Sequence, residues 1–214
     1  MLMSIEAKLR EAEQKLISGD NIEASLNRAL IEFKEILGGF SILTPKDKGR
    51  IHNNIGFAFY QLRNFDEALV ELELALGFNP KLVGAYINKA AIYNGVGQFQ
   101  EALDVLELAK KAHLKKRPPL IYAHAGDAMR CLGRYEEAAD NYKIALGLFD
   151  KKPQVYRGVS DYFAAIRAQK GLALLGVALA EIGIKKDYAL KAIRYGIPQQ
   201  QIGRIRLPVP VLAS

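Results

Sequence analysis

Three histidines and one cysteine are the only imidazole and thiol groups in this sequence: His52, His113, His124 and Cys131. None has a second His, Cys or Asp at the spacing that holds a transition metal. His113 lies inside the basic run from Lys110 to Arg117. His124 and Asp127 stand three apart, so on a helix they share a face, and such a pair could orient a general base. No nucleophile is placed beside them, and surface pairing along a helix accounts for them as well. Cys131 follows Arg130, whose positive charge could favour a thiolate; a small, buried, apolar cysteine is the alternative. Glycine-rich phosphate loops are missing. The expectation is a chain that is not an enzyme, with no catalytic residue, no metal and no cofactor.

A second group of residues could read nucleic acid. Between Asp187 and Leu207, residues Ala192, Gly196, Ile197, Ile202 and Ile205 fall where a helix-turn-helix needs a small residue, a turn and buried aliphatics. Pro198 could open the second helix. Gln199, Gln200 and Arg204 would then face a groove, where Gln and Arg can bond base edges. Residues 151–214 carry 11 Lys/Arg against 3 Asp/Glu, which suits phosphates. Against this, Lys191 stands at a position that is usually buried, Gly203 weakens the short second helix and Pro208 ends it. A capping helix followed by a docked extended segment explains the same residues.

These groups must be positioned by helices, and the helices repeat. Asn64-Phe65-Asp66-Glu67-Ala68-Leu69, Gln98-Phe99-Gln100-Glu101-Ala102-Leu103 and Arg134-Tyr135-Glu136-Glu137-Ala138-Ala139 align, with their alanines 34 and 36 residues apart. Each alanine is followed four residues later by Leu72, Leu106 or Tyr142, and seven later by Ala75, Ala109 or Ala145. Twelve residues before it stands Gly56, Ala90 or Gly126. These are preceded at four residues by His52, Tyr86 or Tyr122, and followed at three by Phe59, Tyr93 or Met129. Every unit therefore reads as two amphipathic helices, close-packed where the small residues fall; for the second unit these span about 84–96 and 99–112. Gly97 and Gly133 sit where the first helix must stop. No unit can bury its apolar face alone, so the units must stack.

The pattern resembles the tetratricopeptide repeat, in which aromatic, Gly, Tyr, Ala, Phe and Pro positions recur over about 34 residues. Copies fall at 49–82, 83–116 and 119–152, the first ending in Asn79-Pro80. Ala90 replaces the usual glycine and Leu114 the usual proline of the second copy. A degenerate helical pair spans 1–37, a loop containing Thr44-Pro45 spans 38–48, capping helices span 153–196, and a basic extended tail spans 197–214. The resemblance implies an all-α, right-handed superhelical solenoid of helix-turn-helix repeats with C-terminal capping helices.

It also implies a concave groove lined by the first helix of each repeat, which takes a peptide or helix of another protein. By register the groove would show Arg50, Asn53, Phe57, Tyr60 and Gln61, then Ile87, Ala91 and Asn94, then Leu120, Ala123, Asp127, Arg130 and Cys131. Chaperone-binding members of the family clamp a carboxylate with Lys, Asn and Arg residues. The matching positions here are Asn53 and Phe57, then Asn88, then Leu120 and His124, so only the middle Asn survives and carboxylate-clamp binding is not expected. A self-assembling structural protein, with its groove filled by its own tail, is the remaining alternative.

Composition bounds the rest. The longest apolar run, Gly171 to Ile184, covers 14 residues, short of the ~20 that a bilayer span needs. Met1 to Glu6 have no secretory pattern, and a lone cysteine allows no internal disulfide. A cytoplasmic location without membrane contact is expected.

Overall fold

Bulky and tiny side chains at fixed spacing become helix pairs in the computed structural model. It describes residues 11–12, 22–39, 43–112, 118–151, 168 and 171. Within these are seven helices and no strands: α1 (Ile22–Gly39), α2 (Pro45–Gln61), α3 (Phe65–Phe78), α4 (Val83–Gly95), α5 (Phe99–Ala112), α6 (Pro119–Cys131) and α7 (Tyr135–Lys151). α2/α3, α4/α5 and α6/α7 are the three repeats. The pair expected over 1–37 is represented by α1 and by the helical residues Glu11 and Ala12. The helices expected after residue 153 lie outside the described residues, apart from the helical Ala168 and Gly171.

Each repeat closes in the same way. The main-chain N–H of Asn64, Gln98 and Arg134 donates to the carbonyl of Phe59, Tyr93 and Met129, at 2.9, 2.9 and 2.8 Å. This is the six-to-one bond of a Schellman turn, and it needs a left-handed residue just before the donor. Gly97 and Gly133 supply it with φ of +85° and +75°. The first repeat has Arg63 at the equivalent place, with φ of +65°.

Within each repeat a small residue on the first helix receives a large one from the second. A Cβ at Gly56 would come within 2.8 Å of Leu72 Cγ, and one at Gly126 within 2.6 Å of Tyr142 Cε1. In the second repeat Ala90 and Leu106 take these places, both buried in one cluster. Burying each large side chain stabilises the stack by about 1.5–3 kcal/mol. Tyr142 is fully buried, and Ala168 joins its cluster. Gly171 is so close that a Cβ there would lie 2.2 Å from Tyr142 Cζ. Ala168 and Gly171 thus lie against the third repeat at Tyr142, on the side where a stack of this kind needs a cover.

The expected loop over 38–48 is shorter than its sequence suggested. α1 runs on to Gly39, and residues 45–48 form the first turn of α2. Thr44 caps that turn: its hydroxyl accepts from the Asp47 N–H at 3.1 Å, and the Asp47 carboxylate accepts from the Thr44 N–H at 3.2 Å. Pro45 occupies the first helical position, where a missing N–H costs nothing. Thr-Pro here starts a helix rather than interrupting the chain.

Candidate functional site: the inner face of the solenoid

The first helices α2, α4 and α6 pack successively on one another, whereas the second helices α3, α5 and α7 have no comparable contacts among themselves. The inner row is tied by polar bonds. Asn88 on α4 donates to Asn53 Oδ1 on α2 at 3.0 Å. Asn94 on α4 donates to the His124 carbonyl on α6 at 3.0 Å. An amide that crosses between helices fixes their offset and satisfies groups that burial would otherwise penalise. Asn94 Oδ1 is buried without a partner.

The thirteen residues expected to line the groove separate into three sets. Arg50, Asn53, Phe57 and Tyr60 are half-buried on α2, and Gln61 is exposed at its end. Phe57 and Gln61 follow Asn53 at intervals of four, so they continue the face that meets α4. Tyr60 leans on Phe65, with ring centroids 6.2 Å apart. Phe57 belongs to none of the buried clusters that absorb Phe59, Tyr60 and Phe65.

The middle set differs from expectation. Ile87 is 8% exposed, Ala91 7% and Ala123 0%. Packing between successive inner helices covers them, so they form the floor and offer a ligand almost no surface. Asn94 and Leu120 are half-buried beside them.

The third set works within its own repeat. The Tyr142 hydroxyl donates to Asp127 Oδ1 at 2.7 Å. Burial, and then the Asp127 charge, holds the Tyr142 phenol well above the usual range. Arg130 adjoins the same phenol, and its Nε is buried without a partner. Asp127 and Arg130 therefore brace α6 against α7. Cys131 is exposed at the end of α6. Desolvation of its sulfur raises the thiol pKa despite the neighbouring Arg130 charge. That is the opposite of an activated nucleophile.

The clamp positions are committed elsewhere: Asn53 and Asn88 bond each other, and His124 is 3% exposed. His52, expected as a packing aromatic, stacks on Phe78 at 5.4 Å, and its Nδ1 lies 2.7 Å from Glu71 Oε2. Lys89, which the repeat spacing did not single out, is buried and pairs with Glu73. Among the described residues no three His, Cys, Asp or Glu side chains gather as metal ligands, and no helix is long and apolar enough to cross a membrane. Gln199, Gln200 and Arg204 lie outside the described residues.

Comparison with known proteins agrees with this geometry. A tetratricopeptide-repeat family model matches residues 49–82, which span α2 and α3. Stress-induced-phosphoprotein 1 of Caenorhabditis elegans is 23% identical over 141 residues, covering 63% of this chain and 43% of that protein. This chain thus spans less than half the length of that relative. Among solved structures, a MamA RS-1 double mutant superposes with a TM-score of 0.60 at 16% identity, covering 95% of this chain and 97% of that one. MamA from Desulfovibrio magneticus RS-1 superposes with a TM-score of 0.58 at 18% identity, covering 95% and 96%. Those two likenesses speak to fold. Residues 49–82 thus match the tetratricopeptide repeat, and with three register-matched helix pairs and this shared architecture the described chain has the all-α fold of a tetratricopeptide-repeat solenoid.

Proposed function

We propose that this protein is a binding adaptor rather than a catalyst, and that its inner face takes a peptide or helix from another protein. Phe57 carries the reading. It is a large aromatic on the face shared by α2 and α4, only half-buried and outside every buried cluster. Aromatics of this kind anchor protein interfaces because they bury much area at little entropic cost. Gln61 follows it one turn later with an exposed amide, and Arg50 stands two turns before it. An incoming chain would set an apolar side chain on Phe57 and Tyr60 and bond its polar groups to the Gln61 amide. Ile87, Ala91 and Ala123 would support this contact from beneath.

The test uses the whole chain as bait in lysate with quantitative mass spectrometry, comparing wild type with Phe57→Glu and with the outer-face variant Leu108→Lys. Partners should be lost with Phe57→Glu and kept with Leu108→Lys. Retention of every partner by Phe57→Glu defeats the inner-face reading.

A further inference from the structure

α3 carries an apolar ridge that the described part of the fold leaves uncovered. Its buried side is Ala68, Leu72 and Ala75. On the opposite side Val70, Leu74 and Phe78 follow one another at intervals of four residues, 60, 44 and 38% exposed. Side chains at this spacing touch along one helix face, so the three form a strip ~12 Å long. Single exposed aliphatics are ordinary; three in line on one helix, ending in an aromatic, make a patch. Stacking of the repeats does not require it. Asp104 and Asp140 stand on α5 and α7 where α3 has Val70, and they bond Gln100 and Lys143 on their own helices. Gly77 lies beside Leu74 on the exposed face, and a Cβ there would meet nothing within 4 Å, so a second helix can approach closely.

The pattern around the ridge selects its occupant. Taken about Leu74, Val70 and Phe78 lie four residues to either side, and Glu67 and Lys81 seven to either side. The carboxylates of Asp66 and Glu67 mark the N-terminal end, both exposed. At the other end are Lys81, exposed in the turn after α3, and Lys48 of α2, whose Nζ lies 5.5 Å from the Phe78 ring centroid. A second copy of α3, turned by a two-fold rotation about Leu74, therefore meets apolar with apolar and acid with base. Phe78 faces Val70, and the Glu67 end faces the Lys81 end. A parallel copy would set like charges together, and a foreign helix of one charge sign would be drawn to one end and repelled from the other. Self-complementarity of this kind is what an isologous dimer requires.

We propose that two copies of this chain associate through α3, antiparallel, with Leu74 on the two-fold axis. The interface closes on itself, so assembly stops at two chains. Three side chains from each copy bury well under the ~1,200 Å² of a stable complex, so the dimer is weak, with a Kd of order 100 µM. Phe57 and Gln61 take no part in it, and the inner face stays open in both copies.

Sedimentation equilibrium of the full chain tests this over ~5 to ~500 µM, a range that brackets the expected Kd, at ~50 mM salt, where charges are little screened. The weight-average mass should rise from one chain towards two and no further. Leu74→Glu sets two carboxylates together at the axis and should weaken association about tenfold or more. The site is exposed, so helicity by circular dichroism should persist. Glu67→Lys and Lys81→Glu should each weaken association about threefold, because each puts like charges at both ends of the pair. Their equimolar mixture should regain most of the wild-type association, since in the mixed dimer every lysine end again faces a glutamate end. Damage to the fold by either substitution would not be repaired by mixing. Phe57→Glu should leave the dimer intact. A chain that stays monomeric at ~500 µM overturns the proposal. So does a mass that grows beyond two chains, or a mixture that associates no better than its components. Association that survives Leu74→Glu and is lost with Phe57→Glu also overturns it, because the contact then lies in the groove.

Discussion

Replacing Gly126 by alanine tests whether the fit between small and large residues holds the repeats together. The new methyl would lie 2.6, 2.7 and 2.9 Å from Cε1, Cδ1 and Cζ of Tyr142. The ring has little retreat: its hydroxyl is bonded to Asp127, and Gly171 also lies close against Cζ and Cε1. Overpacking of this kind costs ~1–3 kcal/mol, and alanine returns ~0.8–1 kcal/mol of helix propensity over glycine. The net loss should be ~0–2 kcal/mol. Tyr142→Leu alone should cost ~3 kcal/mol, through lost ring packing and the lost bond to Asp127. The double variant recreates the Ala90–Leu106 pair of the second repeat, with the added methyl in the space the ring left. The two losses should then fall short of additive by ~1–2 kcal/mol. Urea unfolding followed by far-ultraviolet circular dichroism measures all four corners of the cycle. Additivity within ~0.5 kcal/mol, or a Gly126→Ala variant more stable than wild type, refutes the packing argument.

Arg63→Gly should stabilise the first repeat by ~0.5–1 kcal/mol in the same assay, because it removes a left-handed strain of ~1–2 kcal/mol at the place where the other repeats have Gly97 and Gly133. Thr44→Ala should cost ~1 kcal/mol by uncapping α2, read as a fall in melting temperature of ~2–4 °C. The Tyr142 phenol is raised in the fold, so its contribution to stability is intact below the unfolded value near 10 and is lost progressively as pH rises from there toward the raised folded value. Wild type should therefore lose up to ~1.4 kcal/mol per pH unit more than Tyr142→Phe above pH ~10; parallel pH curves would exclude this. Cys131, with its pKa raised, should react with iodoacetamide at neutral pH more slowly than free cysteine, and faster reaction would contradict the desolvation seen here.

The helix pairs were legible because the spacing of small and large residues is itself the packing rule. Gly97 and Gly133 announced their turns by composition; Arg63 could be found only by carrying their register back 34 residues. Thr44-Pro45-Lys46-Asp47 is a capping sequence with proline at the first helical position, yet the family register placed it in a loop. Local chemistry was the better guide there. Ile87, Ala91 and Ala123 were harder to place. Register puts them on the inner face, but whether that face is covered depends on how closely successive inner helices approach, which no single helix encodes. Asp127 and Arg130 share that difficulty. They stand at groove positions, while the phenol they hold comes from α7 and is unique to the third repeat.

That third repeat shows how a repeating scaffold acquires an end. The first two repeats bury aliphatics, Leu72 and Leu106, which any following unit can cover. Tyr142 brings a hydroxyl into the same place, and a buried hydroxyl needs a partner. Asp127 supplies one from the inner face, so the third repeat gives up an acidic inner-face residue to hold its own core. The same ring accepts Gly171 at a distance no other residue type allows. Substituting tyrosine for leucine thus both seals the stack and reduces the groove at that end. The proposed binding surface then lies at Phe57 and Gln61, at the opposite end of the inner row.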